Sequence, residues 1–275
     1  MHSPLRIGAL ISGSGTNLEA ILKACETGHI EGEVVFVGTD KPGAKGLERG
    51  RNRGIPTFVV NYGEIIRGYR ENPDPAQLPA DYDSADILRR QALFPQPQGA
   101  GRDSDSEAAA KIRSYFATRA IAEAQLIAQM RPYPFDLLVL AGFMRNLSPY
   151  FIDRINPDAG CPRIMNIHPA LLPAFPGTDG YGDTFRYGCK VGGCTVHFID
   201  YGEDSGPIIG QRCFAITETD TLESVKKKGL ALEWELYPEC IRLFAENRLL
   251  PVKKTYPLKN GGYRQRSIVH IAETD

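Results

Sequence analysis

The beginning of the chain restricts the fold more than any other feature, because strand periodicity changes to helix periodicity across a glycine-rich turn. Residues 5–11 form a nearly continuous apolar run that predicts a buried strand. The turn Ser12-Gly-Ser-Gly-Thr-Asn17 follows directly, and apolar residues then recur at helical spacing at Leu18, Ile21, Leu22 and Cys25. A strand that passes through a tight turn into a helix is typical of the first unit of an α/β sheet.

The same alternation continues along the chain and predicts the α/β fold class. Strands are predicted at residues 34–38, 56–60, 136–141 and 163–168, and helices at 45–53 and from about 112 to 130. This order favours a single Rossmann-like domain with a mostly parallel central sheet and helices on both faces. Residues 191–200 and 207–216 predict an antiparallel C-terminal part, and Pro238 is expected to kink the final helix.

Three stretches depart from this pattern. Residues 61–115 carry Pro73, Pro75, Pro79, Pro95 and Pro97, which exclude a long helix or a central strand there. We therefore interpret 61–115 as a surface insertion with short helices at most, for instance at 87–93. The Gly- and Pro-rich residues 169–188 are predicted as a loop, and the polar tail 251–275 is predicted to be irregular. Residues 1–275 are then one domain, since a core of roughly 200 residues is an ordinary size for one.

Composition excludes several classes of protein. Thirty-two Lys and Arg against 33 Asp and Glu give a net charge of −1, which argues against a nucleic-acid partner. No apolar run approaches the roughly 18 residues of a membrane span, and no secretory signal is evident, so a cytoplasmic location without membrane association is expected. Cys189, Cys194 and His197 lack a second ligand pair at the usual spacing, so no metal site is expected.

The glycine-rich turn is a candidate anion site. Glycines permit close approach of a ligand to the backbone, and a helix N-terminus offers unpaired N–H groups, with Thr16 or Asn17 as the expected cap. No lysine follows the glycines, and Leu18 occupies the third glycine position of the dinucleotide fingerprint. The residues alone are compatible with a site for one phosphate and with a plain tight turn.

A polar pair ends the fifth predicted strand, and alternation places Asn166 and His168 on the same face. An asparagine N–H can stabilise a developing oxyanion, and a histidine can move a proton between an attacking and a leaving group. A carboxylate would complete the set, and Asp200, Glu203 and Asp204 follow the next strand. A purely structural histidine is the alternative.

Together these segments resemble the glycinamide ribonucleotide formyltransferases of purine synthesis, which belong to the 10-formyltetrahydrofolate-dependent formyltransferase superfamily. The matching motifs are collinear from about residue 5 to 250, apart from the insertion. They are Ile11-Ser-Gly-Ser-Gly-Thr-Asn-Leu18, Gly46-Leu-Glu-Arg49, Phe116-Ala-Thr-Arg119, Leu140-Ala-Gly-Phe-Met-Arg145, Asn166-Ile-His-Pro-Ala-Leu-Leu-Pro173, Gly193-Cys-Thr-Val-His197, Asp204-Ser-Gly-Pro207 and Tyr237-Pro238.

The resemblance implies transfer of the formyl group of 10-formyltetrahydrofolate, a co-substrate, to the amine of 5′-phosphoribosylglycinamide. It assigns catalysis to Asn166, to a protonated His168 and to Asp204, which would raise the histidine pKa. No metal is implied. The residues implied to bind phosphoribosylglycinamide are Gly15, Thr16, Asn17, Ile167, Pro169 and Glu233, and those implied to bind folate are Arg119, Met144, Arg145, Asn146, Leu147, Asn166, Asp200 and Tyr201.

Some residues depart from the family pattern and leave alternatives open. Residues 178–185 replace the histidines and short helix that usually follow Pro176-Gly177, and Leu230 stands where relatives often place a polar residue. The alternatives are formyl transfer to an amino-sugar nucleotide, hydrolysis of formyltetrahydrofolate, and non-catalytic binding of folate or phosphate. The expected partners are small molecules, with the chain a monomer or homodimer.

Overall fold

A seven-stranded sheet organises the molecule. The structure, a computed structural model, describes residues 3–95, 106–158 and 160–273. The strands are β1 (Leu5–Ile11), β2 (Gly32–Thr39), β3 (Thr57–Val59), β4 (Leu137–Leu140), β5 (Ile164–His168), β6 (Val191–Phe198) and β7 (Ile208–Ala215), in the spatial order β3-β2-β1-β4-β5-β6-β7. The first five strands are parallel and the last two are antiparallel, as predicted.

Eight α-helices are found in the described part of the chain. They are α1 (Thr16–Glu26), α2 (Leu47–Arg51), α3 (Tyr62–Glu71), α4 (Ser84–Arg90), α5 (Glu107–Met130), α6 (Pro149–Ile155), α7 (Gly180–Arg186) and α8 (Leu222–Ala245). Helix α8 continues beyond Pro238.

Each face of the sheet carries a core, because its strands are apolar on both sides. On one face α1 and α8 pack against the sheet through Leu18, Ile21 and Leu236. On the other face α3, α5 and α6 contribute Tyr62, Leu126 and Phe151. The strand order reverses between β1 and β4, and such a reversal is where open α/β sheets place their ligand crevice.

The segment 61–115 contains more structure than the prolines suggested. Helix α3 fits entirely before Pro73, and its first residue, Tyr62, is fully buried in the core. A 3-10 turn, Pro75–Gln77, and helix α4 follow between prolines, and α5 already begins at Glu107. Prolines therefore limit the length of these helices without preventing them. Pro97 and most of the acidic stretch before Glu107 lie outside the described residues.

Two regions predicted to be irregular are ordered. The tail forms an antiparallel hairpin of β8 (Leu249–Pro257) and β9 (Tyr263–Ile271), joined across the turn residues Asn260-Gly-Gly262. The Gly- and Pro-rich residues 169–188 contain α7, so the short helix expected to be missing is present. The predicted side-chain cap of α1 is also wrong, because the N-cap is Gly15, which has no side chain and adopts a left-handed φ of 68°.

Candidate active site

A cavity of about 340 Å³ opens beside the ends of β4 and β5. It brings together residues that are far apart in the sequence, from the start of α1 to the middle of α8. Twelve of the predicted site residues line it: Asn17, Met144, Arg145, Asn146, Leu147, Asn166, Ile167, His168, Pro169, Asp200, Asp204 and Glu233.

His168 and Asp204 face each other in this cavity. The Nδ1 atom of His168 lies 3.2 Å from Oδ2 of Asp204. Its Nε2 atom lies 2.8 Å from the carbonyl oxygen of Phe175, which can only accept a hydrogen bond, so Nε2 carries a hydrogen. Nδ1 is then the ring atom that takes up or releases a proton, directly beside the carboxylate. The Gly177 N–H donates to the same carboxylate at 2.8 Å and fixes it.

Burial and mutual charge act in opposite directions on the pKa values of this pair. Burial, the largest influence, lowers the pKa of His168, although the Asp204 charge and the Phe175 carbonyl act in the opposite direction. Asp204 therefore acts on the pKa of His168 in the predicted direction, but burial outweighs it. Burial alone would raise the pKa of Asp204, but the contact with His197, the charge of His168 and the Gly177 N–H lower it. Both ring nitrogens of His168 face acceptors, so Asp204 and the Phe175 carbonyl favour the protonated ring while burial opposes it.

Asn166 is held by a residue that the sequence analysis did not assign to the site. Its Nδ2 atom lies 3.2 Å from Nε2 of the fully buried His197. The other ring nitrogen of His197 lies 2.9 Å from the Phe198 carbonyl, and Nε2 also lies 3.6 Å from Oδ1 of Asp204. Asn166 also lines the cavity, so its amide lies where a ligand can reach it. The antiparallel register pairs Asn166 with His197, a signal that strand alternation alone does not contain.

Near the start of α1 the cavity contains a buried carboxylate. Glu233 accepts hydrogen bonds from Asn17 Nδ2 at 2.7 Å and from the hydroxyl of Tyr181 at 2.6 Å. Burial raises the pKa of Glu233, while these two hydrogen bonds oppose the rise. Tyr181 on α7 and Lys226 on α8 also line the cavity and were not predicted as site residues. Leu230 lies between Lys226 and Glu233 on the same helical face.

The residues that follow β4 form another part of the lining. Arg145 Nε donates a hydrogen bond to Oδ2 of Asp40 at 2.5 Å, and the Asp40 side chain is fully buried. The Met144 backbone N–H donates to Ser12 Oγ at 2.8 Å, so the glycine-rich turn fixes this segment. Half of the Met144 residue surface is exposed (50%), which leaves its side chain free to cover a ligand.

Four predicted site residues do not line the cavity. Gly15 and Thr16 precede Asn17 in the turn and contribute only the start of α1. Arg119 is buried, and its guanidinium lies 4.8 Å from the ring centroid of Tyr115. Tyr201 turns away from the cavity because its hydroxyl donates to Asp153 at 2.5 Å.

Two absences concern residues 3–95, 106–158 and 160–273, the part of the chain that the structure describes. Within these ranges no group of three or more His, Cys, Asp or Glu side chains could hold a metal ion. Within the same ranges no helix is long and apolar enough to cross a bilayer.

Comparison with known proteins agrees with this geometry. Residues 5–241 match a family described as formyl transferase. The chain belongs to the formyl transferase family. It is 31% identical over 245 residues to the phosphoribosylglycinamide formyltransferase of Escherichia coli (strain K12), with 89% of each chain covered. It is 30% identical over 237 residues to the enzyme of the same name from Bacillus subtilis (strain 168), covering 86% of this chain and 93% of the relative.

Solved structures of the formyl transferase family share the fold. The chain superposes on glycinamide ribonucleotide transformylase 1 from Symbiobacterium toebii with a TM-score of 0.67 and 34% identity, covering 99% of this chain and 96% of that one. A phosphoribosylglycinamide formyltransferase from Bacillus halodurans gives a TM-score of 0.63 at 32% identity, with 87% and 94% coverage. The α/β fold and the formyl transferase family are therefore confirmed.

Proposed function

We propose that this chain transfers the formyl group of 10-formyltetrahydrofolate to the amine of 5′-phosphoribosylglycinamide in purine biosynthesis. One observation carries the proposal: Asn166, His168 and Asp204 line one cavity, with the His168–Asp204 pair at 3.2 Å. The names and lengths of the relatives support the same reaction, since the alignments cover most of both chains.

The proposed chemistry follows from the arrangement of Asn166, His168 and Asp204. The substrate amine adds to the formyl carbon and forms a tetrahedral intermediate. The oxygen of this intermediate accepts a hydrogen bond from the amide of Asn166. His168 takes up the proton that the amine loses, and the imidazolium is stabilised by Asp204 at 3.2 Å. His168 then returns this proton to N10 of the folate as the carbon–nitrogen bond breaks. The free tetrahydrofolate and the formylated amine are the products.

Each substrate has its own part of the cavity in this proposal. The N-terminus of α1, with Gly15, Thr16 and Asn17, offers N–H groups to the ribonucleotide phosphate. Glu233 accepts hydrogen bonds from the polar groups of the ribonucleotide. The pterin lies against the segment that contains Met144 and Arg145 and the loop that begins at Asp200. Holding both reactants in line contributes much of the rate enhancement.

A direct assay tests the proposal. The purified chain is supplied with 10-formyltetrahydrofolate and 5′-phosphoribosylglycinamide, and both tetrahydrofolate release and the formylated product are measured. We expect turnover only when both substrates are present. Turnover of the folate without the amine would indicate a formyltetrahydrofolate hydrolase. Turnover when an amino-sugar nucleotide replaces phosphoribosylglycinamide would indicate a transferase that formylates amino-sugar nucleotides. Binding of the folate without any turnover would indicate a non-catalytic binder.

The role of Asp204 gives a first prediction. Asp204→Asn keeps the size of the side chain but removes the charge that stabilises the imidazolium. We expect kcat to fall by about 10²- to 10⁴-fold, the usual range for impaired acid–base catalysis, with little change in Tm. Glu218→Gln is the control, because Glu218 is a surface carboxylate whose side chain is 88% exposed. Near-normal turnover of Asp204→Asn would remove the proposed role of Asp204.

The site-residue roles, the cytoplasmic location and the choice between monomer and homodimer stay predictions.

A further inference from the structure

The loop that carries Asp204 has a second set of contacts on the side away from the cavity. Residues 199–207 connect β6 to β7, and Ala92, just after α4, lies against them. The Ala92 N–H donates to the Tyr201 carbonyl at 3.0 Å. Ala92 also forms an isolated parallel bridge with Gly202. Residues near position 92, within the segment predicted as an insertion, therefore pair with the backbone of the loop.

Side chains strengthen this contact. The Tyr201 hydroxyl donates to Asp153 Oδ1 at 2.5 Å, and Asp153 belongs to α6. Arg90 of α4 donates to Asp153 Oδ2 at 2.6 Å and to the Tyr201 hydroxyl at 3.2 Å. The Arg90 guanidinium also lies 5.5 Å from the Tyr201 ring centroid, within range of a cation–π interaction. Loop, α4 and α6 thus meet in one network.

Helix α4 is itself anchored to the body of the molecule. Ile87 is buried and packs in a cluster with Phe116 and Tyr150, which belong to α5 and α6. Displacement of the 201–202 backbone would therefore require α4 to move against this cluster.

The cavity side of the loop needs a fixed backbone. Asp204 has a φ of 48°, in the left-handed region that a non-glycine residue adopts at some cost. Asp200 accepts from the Gly202 N–H at 3.1 Å and from Ser205 Oγ at 2.6 Å, which ties the two ends of the turn together. The orientation of the Asp204 carboxylate toward His168 thus depends on the position of residues 200–205.

We propose that α4 and the residues up to Ala92 are a positioning element for the catalytic loop, with Arg90 and Tyr201 as its positioning residues. Both residues lie outside the cavity lining; they fix the 201–202 backbone and thereby the distance between Asp204 and His168. The segment thereby takes part in the proposed formyl transfer, and its positioning role rests on that proposed function. It also explains why Tyr201 lies outside the cavity.

Neighbouring arginines on α4 permit a matched test. Arg89 and Arg90 both pair with Asp86, but only Arg90 reaches the loop, and the Arg89 side chain is 74% exposed. Arg90→Gln and Tyr201→Phe are compared with Arg89→Gln in the full chain. The measurements are hydrogen exchange of the Ala92 amide and of the peptide covering 200–204, together with kcat and both KM values.

We expect Arg90→Gln and Tyr201→Phe to speed the exchange of these amides about tenfold, which is the loss of one hydrogen bond to a charged group. We expect kcat to fall about tenfold through misplacement of Asp204, and KM for the ribonucleotide to stay constant because Asn17 and Glu233 are untouched. Arg89→Gln should behave as the wild type.

The proposal is overturned if the two variants lower Tm but leave the exchange and kcat at wild-type values, since the network would then be only structural. An equal loss in Arg89→Gln would overturn it as well. If the wild type shows no turnover with the two substrates, the proposed function fails. The exchange measurement then still decides whether α4 fixes the loop.

Discussion

At the scale of single residues, the sequence predicted side chains that share one strand better than those that meet across the fold. Alternation on one strand was enough to pair Asn166 with His168, and both line the cavity. His197 and Tyr181 were missed because their partners lie on other elements: Asn166 on β5 and Glu233 on α8. Only the register of β5 with β6 and the packing of α7 on α8 bring these pairs together.

The hydrogen bond between Tyr181 and Glu233 predicts a pH dependence. Burial raises the pKa of Glu233, and the Tyr181 and Asn17 hydrogen bonds lower it. Tyr181→Phe removes one of them, so the Glu233 pKa rises further. Because a protonated Glu233 loses acceptor capacity, KM for the ribonucleotide should rise as pH falls, and in the variant this rise should begin at a higher pH. KM measured across pH for both proteins checks this.

The groups around Glu233 define the controls for that measurement. The charge of Glu233 acts on two titratable groups, Tyr181 of α7 and Cys194 of β6. Asn17 of α1 does not titrate. Asp179 and Lys226 form an ion pair on the cavity lining. Tyr263→Phe, at a residue that is 75% exposed on the hairpin, should leave the profile unchanged. Coinciding profiles for the wild type and Tyr181→Phe would contradict the prediction.

The close approach of Tyr181 to Gly229 requires glycine at position 229, since a Cβ there would lie 2.1 Å from the tyrosine ring.

At the scale of elements, hydrophobic runs predicted the central strands well because these strands are buried on both faces. The prediction was weakest where local signals compete with tertiary contacts. Prolines suggested an irregular 61–115, yet α4 is stabilised there by Ile87 against α5 and α6. The hairpin β8–β9 is polar and mostly exposed, so apolar periodicity could not indicate it, although the Asn-Gly-Gly turn is a known hairpin signal. Helix α7 depends on packing against α8 and β6.

Three consecutive lysines of α8 predict that local charge affects binding of the ribonucleotide. Lys226, Lys227 and Lys228 are consecutive, but Lys226 alone of the three lines the cavity, and Lys228 is tied to Asp220 at 2.6 Å. Lys226 pairs only loosely with Asp179, over 3.5 Å. Because the ribonucleotide is an anion and Leu230 cannot attract it, Lys226→Gln should raise KM for the ribonucleotide about threefold to tenfold at low salt.

Lys227 supplies the control for this element. Lys227→Gln removes the same formal charge from an exposed position outside the cavity lining, so KM should not change. High salt should reduce the effect of Lys226→Gln, because the cation is partly exposed and is screened. Equal effects of the two variants would show that net charge, rather than a local contact, attracts the ribonucleotide.

At the scale of the whole molecule, the near-neutral composition conceals buried charge. The sheet separates two cores, and the one that contains α5 and α6 includes the fully buried Glu123. Ser148, at the start of α6, donates to this carboxylate through its N–H at 2.8 Å and through its hydroxyl. Burial still dominates and raises the pKa of Glu123 to about 7. Neither periodicity nor composition could predict this group, because Glu123 occupies an ordinary helical position.

Glu123 therefore makes the stability of the whole chain depend on pH. Its pKa is about 4.5 in the unfolded chain and about 7 in the folded one, so the folded state is favoured while the group is protonated. This stabilisation is complete below the unfolded pKa and is lost as pH rises through the folded pKa, up to about 3 kcal/mol in all. Glu123→Gln keeps hydrogen bonding to Ser148 but cannot ionise. Its free energy of unfolding, relative to wild type, should therefore increase between about pH 5 and about pH 8.

Urea unfolding at both pH values measures this difference directly. Other titrating groups affect wild type and variant alike and cancel in the comparison. Glu107→Gln is the matched control on the same helix, because its side chain is 83% exposed and it should give a difference that does not vary with pH. A Glu123→Gln difference that is constant across pH would mean that Glu123 is already ionised in the folded chain, and that Ser148 alone offsets its burial.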